Sequence, residues 1–301
     1  MTTEQPDPTA AAQHFLSGCR QAGMSHVVVS PGSRSTPLTL ALDQVDGVSW
    51  SMHLDERSAA FAALGHARAT GLPVGLVCTS GTAAANYLPA IAEASHGGVP
   101  LVAITADRPP EHLGWGVGQA FDQVGLYHRQ VREQVLMPVG ADGGLDHAVR
   151  AGWRAAWTAI DREGPVHVNW PFRLPLEPAG PLPPVPELAG TRPHRPLPTS
   201  ADIEAFRELV GASRRGVIVA GPGTITSGRE RNVSREAILD FASAIGWPVF
   251  ADALSGLRGP STTIVDAADR VVGSMAHPGE VDLVLRLGDT PTAKSIRLWW
   301  E

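Results

Sequence analysis

An α/β chain of two open parallel-sheet domains is predicted by three observations. Short β-branched or apolar runs alternate with helix-compatible segments along the whole sequence. The polar, loop-like stretches follow those runs, as expected where parallel strands end on a common rim. One proline-rich tract, Leu174 to Pro198, divides the chain.

Residues 1–8 read as a loose tail. Thr9 to Gln21 has helical spacing, with Phe15, Leu16 and Cys19 on one face and an end near Gly23. His26–Ser30 is a strand, broken at Pro31-Gly32. Thr36 is the expected N-cap and Pro37 the first residue of a short helix to Leu42. Val48–Leu54 is a second strand and Arg57–Thr70 an alanine-rich helix stopped by Gly71. Pro73–Thr79 is apolar enough to be covered on both faces. A helix from Ala83 to Ala94 and a strand Pro100–Thr105 follow.

Beyond a glycine-rich piece, Gly114 to Gln119, the segment Asp122–Leu126 is helix-prone, Asp146–Ile160 is a helix and Pro165–Pro171 a strand. Residues 9–174 form the first domain and residues 175–199 an extended linker, since the prolines exclude an interior helix or central strand. Residues 200–301 are the second domain. Helices are expected at Ala201–Val210 and Ser234–Ile245, and strands at Gly216–Ala220, Trp247–Phe250 and Val281–Leu287.

The chain has 301 residues, enough for two domains, with 43% hydrophobic and 18% charged residues. A net charge of −6 argues against nucleic acid as a partner. No secretory signal and no apolar run of membrane-spanning length is visible, so a cytoplasmic location without membrane insertion is the expectation. Cys19 and Cys78 are too few for a disulfide framework, and Cys78 reads as a small core residue. No metal site is expected: His53 and His66 are not spaced as a pair, and His112, His128 and His167 form no pattern with other ligands. Gly221-Pro222-Gly223 after a strand lacks the third glycine of a dinucleotide loop.

The chemistry is expected on the first rim. Ser33, Arg34 and Ser35 join hydroxyls and a guanidinium to helix N–H groups, a combination that suits a carboxylate or phosphate. The alternative is a well-capped turn carrying an exposed arginine. Glu56 opens a helix at the same rim beside Ala59, Ala60 and Phe61, so its carboxyl should be partly desolvated and able to donate a hydrogen bond. The alternative is that Asp55 and Glu56 only favour the positive end of the helix dipole.

Together, Ser30 to Leu38 (Ser-Pro-Gly-Ser-Arg-Ser-Thr-Pro-Leu), Asp55-Glu56-Arg57, Thr79-Ser80-Gly81-Thr82-Ala83 and Thr105 to Glu111 resemble thiamine diphosphate enzymes. The stretch covered is most of residues 10–175, with a looser likeness over 200–300. Within that superfamily the motifs are most similar to the synthase family of menaquinone biosynthesis, which decarboxylates 2-oxoglutarate and adds the succinyl unit to isochorismate. The resemblance implies a pyrimidine-binding domain followed by a central domain. It implies that Glu56 hydrogen-bonds the pyrimidine ring of the cofactor, with Pro31, Thr79, Ser80 and Gly81 around it. It gives Ser33, Arg34, Arg108, Gln119 and Lys294 to the two substrates, both of which carry carboxylates. Homodimers or homotetramers are implied as well.

Two departures stand out. Gly118 precedes Gln119 where the family has asparagine. The Gly-Asp-Gly motif with a downstream asparagine, which anchors the diphosphate and Mg²⁺, has no counterpart: Gly288-Asp289-Thr290 does not fit, and the asparagines are Asn86, Asn169 and Asn232. The diphosphate-binding domain is therefore expected to be absent, the chain to break off near the end of the central domain, and activity alone to be nil. Another thiamine diphosphate carboligase or decarboxylase, and a non-catalytic α/β binding module, are the alternatives.

Overall fold

The structure is a computed structural model that describes residues 7–188, 197–225, 234–274 and 280–300. The tail over residues 1–6, linker residues 189–196, Asn232 and the chain end at Glu301 lie outside the described residues. The chain divides into two compact units, Met1–Ala189 and Gly190–Glu301.

The first unit opens with α1 (Pro8–Gln21), so Asp7 and Pro8 start a helix rather than end a tail. Asp7 caps it by accepting from the Thr9 N–H at 2.6 Å. Strand β1 (His26–Val29) leads to a single 3₁₀ turn at Ser33–Ser35 and then α2 (Thr36–Leu42). The expected cap at Thr36 is corrected here. Thr36 is already helical, and its hydroxyl donates to the Ser33 carbonyl at 2.7 Å.

Strand β2 (Ser49–Met52) is a largely exposed edge. Helix α3 (Glu56–Thr70) is capped by Asp55, which accepts from the Ser58 N–H at 2.8 Å, and ends at Gly71 with φ 70°. Every residue of β3 (Val74–Cys78) and β4 (Leu101–Asp107) is buried, as strands covered on both faces must be. Between them the single helix expected over Ala83–Ala94 is two, α4 (Thr82–Ala85) and α5 (Leu88–His96). Pro89 supplies the reason: it has no N–H for the preceding turn and settles in the first turn of α5.

No helix forms at Asp122–Leu126, which is turn and coil. A strand that the sequence reading missed, β5 (Glu133–Leu136), precedes α6 (Leu145–Asp161) and β6 (Val166–Pro171).

The six strands are all parallel, in the order β2-β1-β3-β4-β6-β5. Alternate residues of β1 serve opposite layers. Val27 and Val29 join the core under α1 and α6, and Val28 joins the one under α3 and α5. Helices α1 and α6 approach closely because glycine allows it. Gly18 lies on the Val149 carbonyl, Gly152 on the Phe15 carbonyl, and the Cys19 thiol donates to the Gly152 carbonyl at 3.2 Å. The linker stretch 175–188 has no helix or strand, yet it is tied down. Gln21 holds the Leu188 N–H and the Pro186 carbonyl, and Arg20 pairs with Glu187.

The second unit contains α7 (Ser200–Ala212), β7 (Gly216–Ala220), α8 (Arg235–Ile245), β8 (Val249–Ala251), β9 (Ile264–Val265), α9 (Ala268–Val272), β10 (Leu283–Leu287) and α10 (Lys294–Trp300). Its four strands are parallel in the order β10-β7-β8-β9. Thr199 and Asp202 form a reciprocal capping box on α7. Both sheets are thus open and parallel with helices between strands, the α/β class read from the sequence. No helix among the described residues is long and apolar enough to cross a membrane.

Candidate active site

The chain leaves β1 for one edge of the first sheet and returns to the other side of β1 at β3. The reversal puts a topological switch point between the carboxyl ends of β1 and β3, the position at which open α/β sheets bind their ligands. The loops that meet there are Pro31–Ser35 and Thr79–Gly81. They are in direct contact. The Thr79 hydroxyl accepts the Arg34 N–H at 3.2 Å, and Gly32 rests on the Thr79 side chain.

Six of the predicted residues, Pro31, Ser33, Arg34, Thr79, Ser80 and Gly81, lie in these two loops. Pro31 and Ser33 are exposed, Arg34 and Thr79 are buried, and the Ser80 hydroxyl is fully buried without a hydrogen-bond partner. Gly81 adopts φ 88°, ψ −150°, a region essentially reserved for glycine. A Cβ there would lie 3.1 Å from the Cβ of Gln119, so the Gly114–Gln119 piece is brought against the same loop. Gln119 itself is exposed and has φ 58°.

Glu56 is the first residue of α3, half-buried, near enough to Cys78 at the end of β3 to act on it electrostatically. Asp55 performs the capping, which leaves the Glu56 carboxylate without that duty. The Ser58 N–H holds the Asp55 carboxyl below its usual range. The apolar surround is thinner than expected: Ala59 and Ala60 are buried, but Phe61 is 43% exposed.

Arg108 lies close enough to Arg34 to act on it electrostatically. Burial, and secondarily the charge of Arg108, push the Arg34 guanidinium below its ordinary pKa. One Arg34 nitrogen donates to the Phe172 carbonyl at 2.8 Å, whereas Arg108 Nε is buried with no partner. The pair therefore leaves positive charge uncompensated at the rim. Lys294, the remaining predicted substrate residue, belongs to the second unit, exposed at the start of α10.

Behind these loops lies a buried polar chain that the sequence reading missed. Gln123 Oε1 accepts the Gly81 N–H at 2.8 Å. Its amide nitrogen donates to the Ala106 carbonyl at 3.2 Å and to Asn169 Oδ1 at 2.8 Å. Asn169 Nδ2 donates to Asp107 Oδ2 at 2.7 Å, and Asp107 Oδ1 accepts the Arg108 N–H at 2.7 Å. Thr105 donates to Asn169 Oδ1 at 2.9 Å.

That hydroxyl has one proton, so His167 Nε2, 2.8 Å away, must carry the other and donate to Thr105. His167 is then the Nε2–H tautomer, its Nδ1 buried without a partner, its pKa pushed down to about 4 by burial. Burial raises the Asp107 carboxyl, opposed by its bonds from Asn169 and the Arg108 N–H. The available signal was polar residues breaking apolar strands: Thr105 stands opposite Asn169 in the β4–β6 register.

In the second unit, the Gly221-Pro222-Gly223 loop is no phosphate cradle. The N–H groups of Gly221, Gly223, Thr224, Ile225 and Asp289 all donate to carbonyls of the unit itself. Among the described residues no group of three or more His, Cys, Asp or Glu could hold a metal ion. His66, weighed above as half of a metal pair, stacks on His26 with ring centroids 4.4 Å apart.

Residues 9–126 match the family described as thiamine pyrophosphate enzyme, N-terminal TPP binding domain. Three curated relatives share the name 2-succinyl-5-enolpyruvyl-6-hydroxy-3-cyclohexene-1-carboxylate synthase. That of Geobacillus thermodenitrificans is 40% identical over 302 residues, covering 95% of this chain and 50% of the relative. That of Haloquadratum walsbyi is 41% identical over 317 residues, covering 97% and 50%. That of Listeria monocytogenes is 36% identical over 318 residues, covering 100% and 53%. The chain spans about half the length of the curated relatives it matches. Residues 9–126 are thus similar to the N-terminal TPP binding domain of thiamine pyrophosphate enzymes, and the chain as a whole is similar to these synthases over about half of their length.

Proposed function

We propose that this chain is the pyrimidine-binding and central part of a 2-succinyl-5-enolpyruvyl-6-hydroxy-3-cyclohexene-1-carboxylate synthase. The activity is decarboxylation of 2-oxoglutarate and addition of the succinyl unit to isochorismate, in the cytoplasm, by a homodimer or homotetramer. Residues 9–174 are assigned as the pyrimidine-binding domain and 200–301 as the central domain.

The observation that carries the reading is the Arg34–Arg108 pair at the switch-point rim. Two guanidinium groups are held near each other, and no ion pair among the described residues neutralises either. A substrate carboxylate between them would supply the missing charge and a partner for Arg108 Nε. Ser33 and Gln119 are exposed at the same rim and would add hydrogen bonds. Lys294 stays assigned to the substrates by resemblance alone.

The residues fit the pyrimidine half of thiamine diphosphate. Glu56 is half-buried with its carboxylate unused by the helix cap, and the Ser80 hydroxyl is a buried group in want of a partner. When bound, the cofactor supplies the electron sink for the decarboxylation and the new carbon–carbon bond. Glu56 would hold a proton at the pyrimidine nitrogen. Pro31, Thr79, Ser80 and Gly81 would fix the ring, and the arginines would orient the substrate carboxylates. No described residue is assigned to the diphosphate or to Mg²⁺, so turnover is expected to require ligands from outside them and to be absent in this chain alone.

Calorimetric titration tests the reading, with pyruvate as the monocarboxylate comparator. 2-Oxoglutarate should bind, pyruvate about tenfold more weakly, and Arg34→Ala or Arg108→Ala should each cost roughly tenfold, as loss of a charged hydrogen bond does. Equal affinity for pyruvate would favour another thiamine diphosphate carboligase or decarboxylase. Binding of neither acid, and of no thiamine diphosphate, would leave a non-catalytic module. Turnover of 2-oxoglutarate and isochorismate by the purified chain would overturn the expected inactivity.

A further inference from the structure

We propose that Gln123 is a positioning residue that sets the Gly81 loop and the Arg108 loop as one unit. The inference rests on the reading above, in which the first loop faces the cofactor and Arg108 a substrate carboxylate.

Hydrogen-bond polarity fixes the orientation of every amide on the path. The Gly81 N–H can only donate, so the Gln123 atom facing it must be the oxygen. The Gln123 nitrogen is then turned to Asn169, whose facing atom must be an oxygen in its turn. Both lone pairs of that oxygen are used, by Gln123 and Thr105. Asn169 Nδ2 is left facing Asp107, which accepts, and the other Asp107 oxygen holds the Arg108 N–H. No amide along this path can be turned over without opposing two donors or two acceptors. Gln123, Asn169 and Asp107 are all buried, at 0%, 1% and 3% exposure, so water cannot stand in for a lost partner.

Gln123 lies in coil just before a turn rather than in a strand or helix, so no ladder of backbone bonds dictates where its side chain goes. What fixes it is the set of three bonds to Gly81, Ala106 and Asn169. Ala106 and Asn169 belong to the carboxyl-terminal halves of β4 and β6, and Gly81 to the loop three residues beyond β3. The β3–β4 ladder, paired as far as Cys78 and Thr105, sets the spacing of the strand ends, and this one side chain ties the Gly81 loop beyond it to Ala106 and, through Asn169, to Asp107. The Arg108 guanidinium touches none of these atoms, so its placement is affected only through the backbone that Asp107 holds.

Amide hydrogen exchange of the chain by NMR tests this. In the wild type, the Gly81 and Arg108 N–H groups should open together, with equal opening free energies and equal denaturant dependence, although they lie in loops that follow different strands. In Gln123→Leu both should exchange at least tenfold faster, while the Leu76 and Ile104 N–H groups inside β3 and β4 keep their rates. Tyr127→Phe, which loses only the bond to the Ala84 carbonyl, should leave Arg108 unchanged.

Different opening energies in the wild type would overturn the proposal without recourse to any variant. So would Gly81 accelerating while Arg108 does not, or a uniform acceleration of all amides. Adding 2-oxoglutarate to the same samples separates the two claims. If the wild type does not respond, the substrate reading fails while the exchange result still decides the coupling. If it binds, Gln123→Leu should raise its Kd about tenfold without touching it.

Discussion

A Cβ built on Gly32 would lie 2.6 Å from the methyl carbon of Thr79 and closer still to its Cβ. The two residues follow adjacent strands, β1 and β3, and their contact closes the switch point of the first sheet. Gly32 is extended, with φ 179°, so backbone freedom is not what requires glycine here. Space is. Gly32→Ala should destabilise the first unit by roughly 1–3 kcal/mol through overpacking. It should also break the bond from the Arg34 N–H to Thr79. Chemical denaturation and the exchange rate of the Arg34 amide check both effects. If the contact is the cause, adding Gly32→Ala to a Thr79→Gly background should cost much less than it does alone.

Gly81 is glycine for the other reason. Its φ of 88° with ψ −150° admits little else, and a Cβ would also press on Gln119 at 3.1 Å. Gly81→Ala should cost roughly 1–3 kcal/mol from backbone strain and displace Gln119. Gly114 has φ 78° with nothing within 4 Å of its Cβ position, so Gly114→Ala gives the comparison without the contact. A Gly81→Ala variant no less stable than Gly114→Ala would refute the crowding of Gln119.

His167 should make the first unit acid-sensitive. Burial holds its native pKa at about 4, against an ordinary 6.5. Above pH 6.5 both folded and unfolded forms are neutral and the residue contributes nothing. Between pH 6.5 and 4 the unfolded chain takes up a proton that the folded chain refuses, so stability falls as the pH falls. The full loss, reached below about pH 4, is on the order of 3 kcal/mol. Unfolding free energies measured across this range should flatten in His167→Gln, in which an amide can still donate to Thr105. An unchanged slope would assign the acid sensitivity to other groups.

Both thiols should be inert in the folded chain. Cys19 and Cys78 are fully buried, and burial pushes both thiols well above their ordinary pKa. A neutral reagent such as iodoacetamide should modify neither at pH 8 and both after denaturation. Native labelling of Cys78 would show that the rim beside Glu56 opens more than its burial implies.

The sequence determined much of this protein by itself. Alternating β-branched runs and capped helices carry local information, so β1, β3, β7 and most helices were legible to within a residue or two. The rim loops were legible for the same reason: parallel strands must release their polar connections on one rim, which groups Ser33, Arg34, Thr79 and Gly81 before any contact is known. Local pattern failed where a neighbour overrode it. Pro89 divided a run of good helix formers, and Asp122–Leu126 gave up its helix. Gln123 is instead committed to three partners distant in sequence.

What only the tertiary structure decided is the pairing of distant groups. That Arg34 and Arg108 share one charge deficit, and that Asp55 rather than Glu56 caps α3, are matters of distance and direction. The path from Gly81 through Gln123 and Asn169 to Arg108 depends on strand order and on the β4–β6 register. A one-residue slip there would turn Asn169 to the opposite face of the sheet and strip Gln123, Thr105 and Asp107 of the bonds they make to it, all at buried positions.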